Sequence, residues 1–191
     1  MKSASILTLA FLLAACGSNN DTAPPPETAS VDQTAPSDMI EPAGTPATPV
    51  DAAGYISKAG AGDLWEIESS RALLAKSTNA DVKAFAQMMI DDHGKSTAKV
   101  KAAATAAKID VAAPKLDVDQ QKMLDEIKAA DAAGIDAIFL AHQATAHDAA
   151  LALHKDYAAS GDTPALKTAA AEILPVVEAH RAELTKLAAK R

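Results

Sequence analysis

Aromatic side chains are scarce in this chain, with three Phe, two Tyr and one Trp among 191 residues. Any core must therefore rest on Leu, Ile, Val, Met and above all Ala, which favours helices that approach closely. A single cysteine, Cys16, rules out an intrachain disulfide. Clusters of Lys and Arg are missing too. Eighteen basic residues are scattered among 25 acidic ones, for a net charge of −7, and phosphate backbones need concentrated positive charge. Nucleic acid is thus not an expected partner. No apolar run reaches the roughly 20 residues that a membrane-spanning helix requires. Strand-like alternation is absent, as are a Gly-rich phosphate loop, a nucleophile elbow, a C-x-x-C-H haem site and an H-E-x-x-H motif.

What is present begins with MKSASILTLAFLLAACGSNN. Lys2 supplies a short basic start, and Ile6 to Ala15 form an apolar stretch suited to an export signal. Leu13-Ala14-Ala15-Cys16 resembles a bacterial lipobox, which implies removal of residues 1–15 and lipidation of Cys16. An acylated Cys16 would also be lost to thiol catalysis. By resemblance to other lipoproteins, Gly17 in place of Asp implies sorting to the outer membrane, with the chain held on the periplasmic face. The alternative is an ordinary secretory signal with an incidental cysteine. Residues 16–52 are rich in Pro, Ala, Thr, Ser and Asp and carry no apolar period, so they read as a disordered tether. As a flexible coil, such a segment of roughly 35 residues would reach on the order of 30 Å.

Residues 53–191 read as an all-α domain, an up-down four-helix bundle. Long helices are expected over about 53–77, 80–107, 132–159 and 164–189. A short extra helix, opened by the capping-box spacing of Asp117 and Gln120, falls in the connection between the second and third. Pro164 suits a first helical position after Thr163, and Pro175 is expected to kink the last helix or be absorbed by it.

Chemistry concentrates on five histidines. His93 follows Val82, Ala86 and Met89 at helical spacing, which puts it on the inner face of the second helix. Leu166, Ala170, Ile173, Val177, His180, Leu184 and Leu187 repeat by four and three, so His180 lies on the seam of the last helix. His147 shares a face with Leu140, Gln143 and Leu151, and His142 shares another with Ile138 and Phe139. His154 stands near a helix end and is expected to be half exposed. On the first helix, Glu66 and Glu68 point about 200° apart at about 100° per residue, so at most one faces inward. A buried imidazole needs a partner, and each histidine could simply bond a neighbouring carboxylate or carbonyl and set helix register. Imidazoles and a carboxylate from separate helices could also hold zinc, iron or copper. Met89 and His93, four apart, would suit cuprous copper, although Met is more often core filler.

Three blocks carry a family resemblance: AGAGDLWEIESSRALLAKSTNADVKAFAQMMIDDH, IDAIFLAHQATAH and AAAEILPVVEAH. Over about residues 53–188 the chain resembles the bacterial domain-of-unknown-function family 4142, which is often labelled an outer membrane protein and grouped with ferritin-like bundles. The resemblance implies a ferritin-like bundle at the envelope. It draws attention to Glu66, to the pair Asp92-His93, to Gln143 with His147, and to Leu174-Pro175 with His180. It thereby favours His147 over His142 as the inward residue. The di-iron proteins of ferritin-like type carry Glu three residues before His on two helices. Here Ile90 and Val177 occupy those places, so di-iron oxidase chemistry is not expected.

Three functional expectations follow. The leading one is a lipid-anchored envelope bundle with a non-catalytic binding or structural role; no residue pattern names a protein partner. The second is a metal-binding bundle for storage, stress defence or sensing. Its ligands would be Glu66, His93, His147 and His180, with Glu68, Asp92, Gln143 and Met89 as weaker supporting candidates. The third, a metal-dependent oxidoreductase, has the least support, since no catalytic motif occurs.

Overall fold

In the computed structural model the described residues are 51–190. The expected signal segment, the lipidation site Cys16 and nearly all of the tether lie outside them. The described residues form helices α1 (Ala52–Leu74), α2 (Ala80–Ala106), α3 (Val118–Ala129), α4 (Ile135–Ser160) and α5 (Pro164–Ala189), with no strand among them.

Local chemistry sets the helix ends. Asp51 accepts from the Gly54 amide and caps α1. Asn79 accepts from the amides of Asp81 and Val82 at the start of α2. Asp117 and Gln120 close the expected capping box on α3. Two boundaries differ from the sequence expectation. α1 stops at Leu74 because the next amides fold back: both Lys76 and Ser77 donate to the Leu73 carbonyl. α4 starts at Ile135, not 132, because the Asp131 carboxylate holds the Gly134 amide in a turn first. Thr163 stands at the N-cap of α5 but does not cap with its side chain; its hydroxyl bonds Asp162 instead.

Just past α2, Lys108 stands at φ 58°, a left-handed conformation that lets the Ile109 amide reach back to the Ala104 carbonyl. A Cβ is disfavoured there. Lys108→Gly should therefore stabilise the fold, by ~0.5–1 kcal/mol in urea unfolding.

Four helices form the bundle. α1 packs beside α2 and α4, and α5 beside α2 and α4, while α3 lies against α1 and α4. The connection from α2 to α4 travels the length of the bundle. Lys76, after α1, donates to the Ala130 carbonyl at 2.8 Å, which brings the end of α3 to the α1–α2 turn. Lys190 pairs with Asp81 at that same end, and the Ala52 amide meets Asp162 at the other. The direction is thus up, down, down, up. α5 runs parallel to its diagonal partner α1, where simple alternation would make it antiparallel. A bundle with one long crossover is the ferritin-like arrangement.

The core has three storeys. One apolar cluster, around Trp65, Leu73, Phe85, Phe139 and Leu184, fills the end near the α1–α2 turn. A second, around Tyr55, Val100, Tyr157, Leu166 and Ile173, fills the opposite end. Between them lies a buried polar layer that includes Asp63, Glu66, His93, Gln143, His147 and His180.

Among the described residues, Gly161 is the one glycine whose lack of a side chain is required by close packing. A Cβ there would come within 2.6 Å of the Tyr157 carbonyl and 2.7 Å of its ring. That ring stacks on Tyr55 with centroids 4.0 Å apart, so the α4–α5 turn is moulded onto an aromatic pair.

Candidate metal centre

The polar layer is centred on three imidazoles from three helices. His93 of α2, His147 of α4 and His180 of α5 form a near-equilateral triangle, with ring centroids 5.8, 5.6 and 5.5 Å apart. One ring nitrogen from each lies within 4.8 Å of the others.

The second nitrogen of each ring is held by a protein acceptor. His93 donates from Nδ1 to Asp63 Oδ1 at 2.8 Å. His147 donates from Nδ1 to the Gln143 carbonyl at 2.9 Å. His180 donates from Nε2 to Asp92 Oδ2 at 3.1 Å. With those nitrogens donating, the neutral form of each ring carries its lone pair on His93 Nε2, His147 Nε2 and His180 Nδ1. Those three atoms are buried and have no hydrogen-bond partner. A carboxylate or carbonyl behind each imidazole is how proteins orient metal-binding histidines.

Charge in the layer is tuned by burial. His147 is pushed down to about 3, first by desolvation and then by His93. Burial also depresses His180, partly offset by its bond to Asp92. His93 goes the other way: burial lowers it, but the bond to Asp63 and the charges of Glu66, Asp63 and Asp92 raise it above the ordinary imidazole value. Desolvation lifts Glu66 to about 7 against the pull of His93 and Gln143.

Placement of the remaining candidates is mixed. Glu66 is buried, as the resemblance implies, but its Oε1 approaches His147 at Nδ1 (3.3 Å), not at the free Nε2. Its Oε2 has no partner. The carboxylate therefore stands beside the three nitrogens as a neighbour, outside the converging group. Gln143 accepts from His147 at its backbone carbonyl and donates its side-chain amide to the Ser69 hydroxyl. Asp92 orients His180 and also pairs with Lys95 at 2.8 Å. Met89 packs in the apolar cluster with Trp65 and Phe85. Glu68 points outward to Arg71 at 2.6 Å, which leaves Glu66 as the inward acid of that pair. His142 is outside as well, bonded to Glu126.

His154 requires a correction. It is not half exposed but 3% exposed, with Nδ1 bonded to the Tyr55 hydroxyl at 3.0 Å. The Tyr55–Tyr157 stack closes that end of the bundle over it, a long-range packing event invisible in α4 alone. Asp63 is the residue that sequence reading missed. It is 4% exposed and bonds both His93 and the Thr97 hydroxyl. A signal was available, since Asp63 stands three before Glu66 on the same helix within the first resemblance block.

The family model described as "Domain of unknown function (DUF4142)" matches residues 37–187. The chain belongs to the DUF4142 family. Two solved structures show how the DUF4142 fold compares with others. A crystal structure of a DUF305 fragment from Deinococcus radiodurans aligns with a TM-score of 0.64 at 12% identity, covering 77% of this chain and all (100%) of that one. A DUF305 protein from Streptomyces coelicolor, described as a candidate secreted protein, aligns with a TM-score of 0.62 at 9% identity, covering 75% of this chain and 94% of that one. At such identities the likeness is one of fold alone. No curated protein matches the sequence.

Proposed function

We propose that this DUF4142 protein is a metal-binding bundle of the bacterial envelope, tethered through lipidated Cys16 to the periplasmic face of the outer membrane. The observation that carries the metal reading is a trio of buried imidazoles from three helices, with one ring nitrogen of each within 4.8 Å of the others and one partnerless nitrogen on each ring. In a layer that served only to fix helix register, those nitrogens would be bonded to one another's neighbours, because each orphaned buried polar atom costs about 1–3 kcal/mol. Neutral imidazoles select a borderline divalent transition ion such as Zn²⁺, Fe²⁺ or Cu²⁺, and they disfavour Mg²⁺ and Ca²⁺, which take oxygen ligands. The role is binding for sequestration, stress defence or sensing. Elemental analysis of untagged protein tests it: one transition metal per chain is expected, and none in His180→Ala. A metal-free native chain that stays empty after incubation with each of these ions would rule the reading out.

The envelope part rests on the lipobox-like Leu13-Ala14-Ala15-Cys16. Mass spectrometry of the mature N-terminus should find an acylated Cys16, and Cys16→Ser should move the protein from the membrane to the soluble fraction. Unaltered membrane attachment in that variant would refute the anchor.

A further inference from the structure

Phenol and indole rings are the aromatic side chains that give up an electron most readily, and the chain has two tyrosines and one tryptophan. All three are buried, but they differ in where a proton can go. The Tyr55 hydroxyl lies 3.0 Å from His154 Nδ1. A fully buried phenol needs an acceptor for its proton, so Tyr55 donates to that nitrogen. Tyr157 donates to Asp162 Oδ1 at 2.8 Å, and Asp162 is exposed on the α4–α5 turn. The two phenol rings are stacked, with centroids 4.0 Å apart and planes 12° from parallel. Trp65 sits in the other apolar cluster, and its indole N–H has no hydrogen-bond partner.

We propose that the Tyr55–Tyr157 pair is a redox site, which gives one electron to an outer-sphere oxidant at the α4–α5 turn and holds the resulting radical on Tyr55. None of its residues is a candidate metal ligand, so the inference stands apart from the metal reading. An oxidised phenol sheds its proton, because a positive charge kept in a low-dielectric core is costly. The oxidant, a high-potential metal complex or a small inorganic radical, takes an electron from Tyr157, whose O–H proton passes to the Asp162 carboxylate. Tyr157 then recovers an electron from Tyr55 across the stack and its proton from Asp162. The Tyr55 O–H bond breaks as an N–H bond forms at His154 Nδ1. In sum, the oxidant gains one electron, one proton moves from Tyr55 to His154, and Tyr157 and Asp162 are restored. The radical settles on the inner ring because the imidazole is the better proton acceptor. Asp162 is held below the usual carboxylate value, first by the bond from Tyr157, whereas burial brings His154 down only to about 4. Trp65 offers no comparable exit, since nothing accepts its N–H proton.

The test uses the metal-free full chain carrying Cys16→Ser, which removes the only thiol. Flash-generated tris(bipyridine)ruthenium(III) supplies the oxidant, and freeze-quench electron paramagnetic resonance reads the radical. A neutral tyrosyl signal is expected, with a hydrogen-bond proton coupling that D₂O removes. Tyr55→Phe should abolish that coupled signal. His154→Gln keeps a hydrogen-bond acceptor but no base, so it should slow radical formation by roughly a hundredfold, the low end of what a positioned base contributes. Tyr157→Phe keeps the ring stack and should form the same radical more slowly. Formation in the native chain should also be slower in D₂O than in H₂O, a readout that needs no variant. A radical on Trp65 in the native chain, or no tyrosyl signal at all, would overturn the redox site. Native rates in His154→Gln, or equal rates in the two solvents, would overturn the proton transfer to His154. A native rate in Tyr157→Phe would overturn the relay through the stack.

Discussion

Zn²⁺ supplied at a hundredfold excess over its dissociation constant should stabilise the native chain by about 2.7 kcal/mol and raise its melting temperature by on the order of 10 °C. The shift arises because the unfolded chain scatters His93, His147 and His180, while the fold brings a nitrogen of each within 4.8 Å of the others. Differential scanning fluorimetry with and without Zn²⁺ measures it. Two variants give the result its meaning. His180→Ala should melt at the same temperature with or without metal. Glu66→Gln should keep most of the shift, since its carboxylate faces the nitrogen that His147 has already committed. Equal shifts in native protein and His180→Ala would mean that Zn²⁺ binds elsewhere.

The second large effect is a loss of stability in acid traced to His154. Burial between Tyr55 and the core lowers this imidazole to about 4 from 6.5, with Asp63 opposing and His93 reinforcing. Above pH 6.5 it is neutral in both folded and unfolded chains and contributes no pH dependence. Between 6.5 and about 4 the unfolded chain takes up a proton that the folded chain refuses, so stability falls as pH falls; below about 4 the loss levels off. The full loss from this residue is on the order of 3 kcal/mol. His147, also lowered, acts in the same direction. Glu66 and His93, both raised, act against it, so only a difference between proteins isolates His154. Urea unfolding of native protein and His154→Gln at pH 7.5 and 4.5 gives that difference. The variant should lose less by roughly the stated amount, and equal acid losses would refute the assignment.

Periodicity made the inward faces of α2 and α5 legible, because a single apolar stripe per helix is enough to place His93 and His180. His147 was harder: α4 is alanine-rich on several faces, and the choice between it and His142 came from the family resemblance. Helical geometry allowed only one of Glu66 and Glu68 to face inward, and the family resemblance pointed to Glu66. Other features depend on partners far along the chain. Asp63 reads as an ordinary surface acid until His93, thirty residues later, is folded against it. The burial of His154 depends on Tyr55, ninety-nine residues earlier. The helix directions were hidden in the α2–α4 connection, which is long enough to turn back or to cross. The choice is made by α3 docking on α1 and α4.

Pro175 has a mechanical consequence for the centre. α5 continues through it, but a proline has no N–H, so the rung to the Ala171 carbonyl is missing. Both residues lie on the outer face, where water can serve that carbonyl. The helix is therefore more compliant at this point, a turn and a half before His180. Nitrogens on a tetrahedral ion stand ~3.4 Å apart, given metal–nitrogen bonds of about 2.05 Å, closer than the 4.8 Å that bounds them here. Were an ion bound, part of that adjustment could come from α5, because the missing rung leaves the segment bearing His180 freer to lean toward α2 and α4.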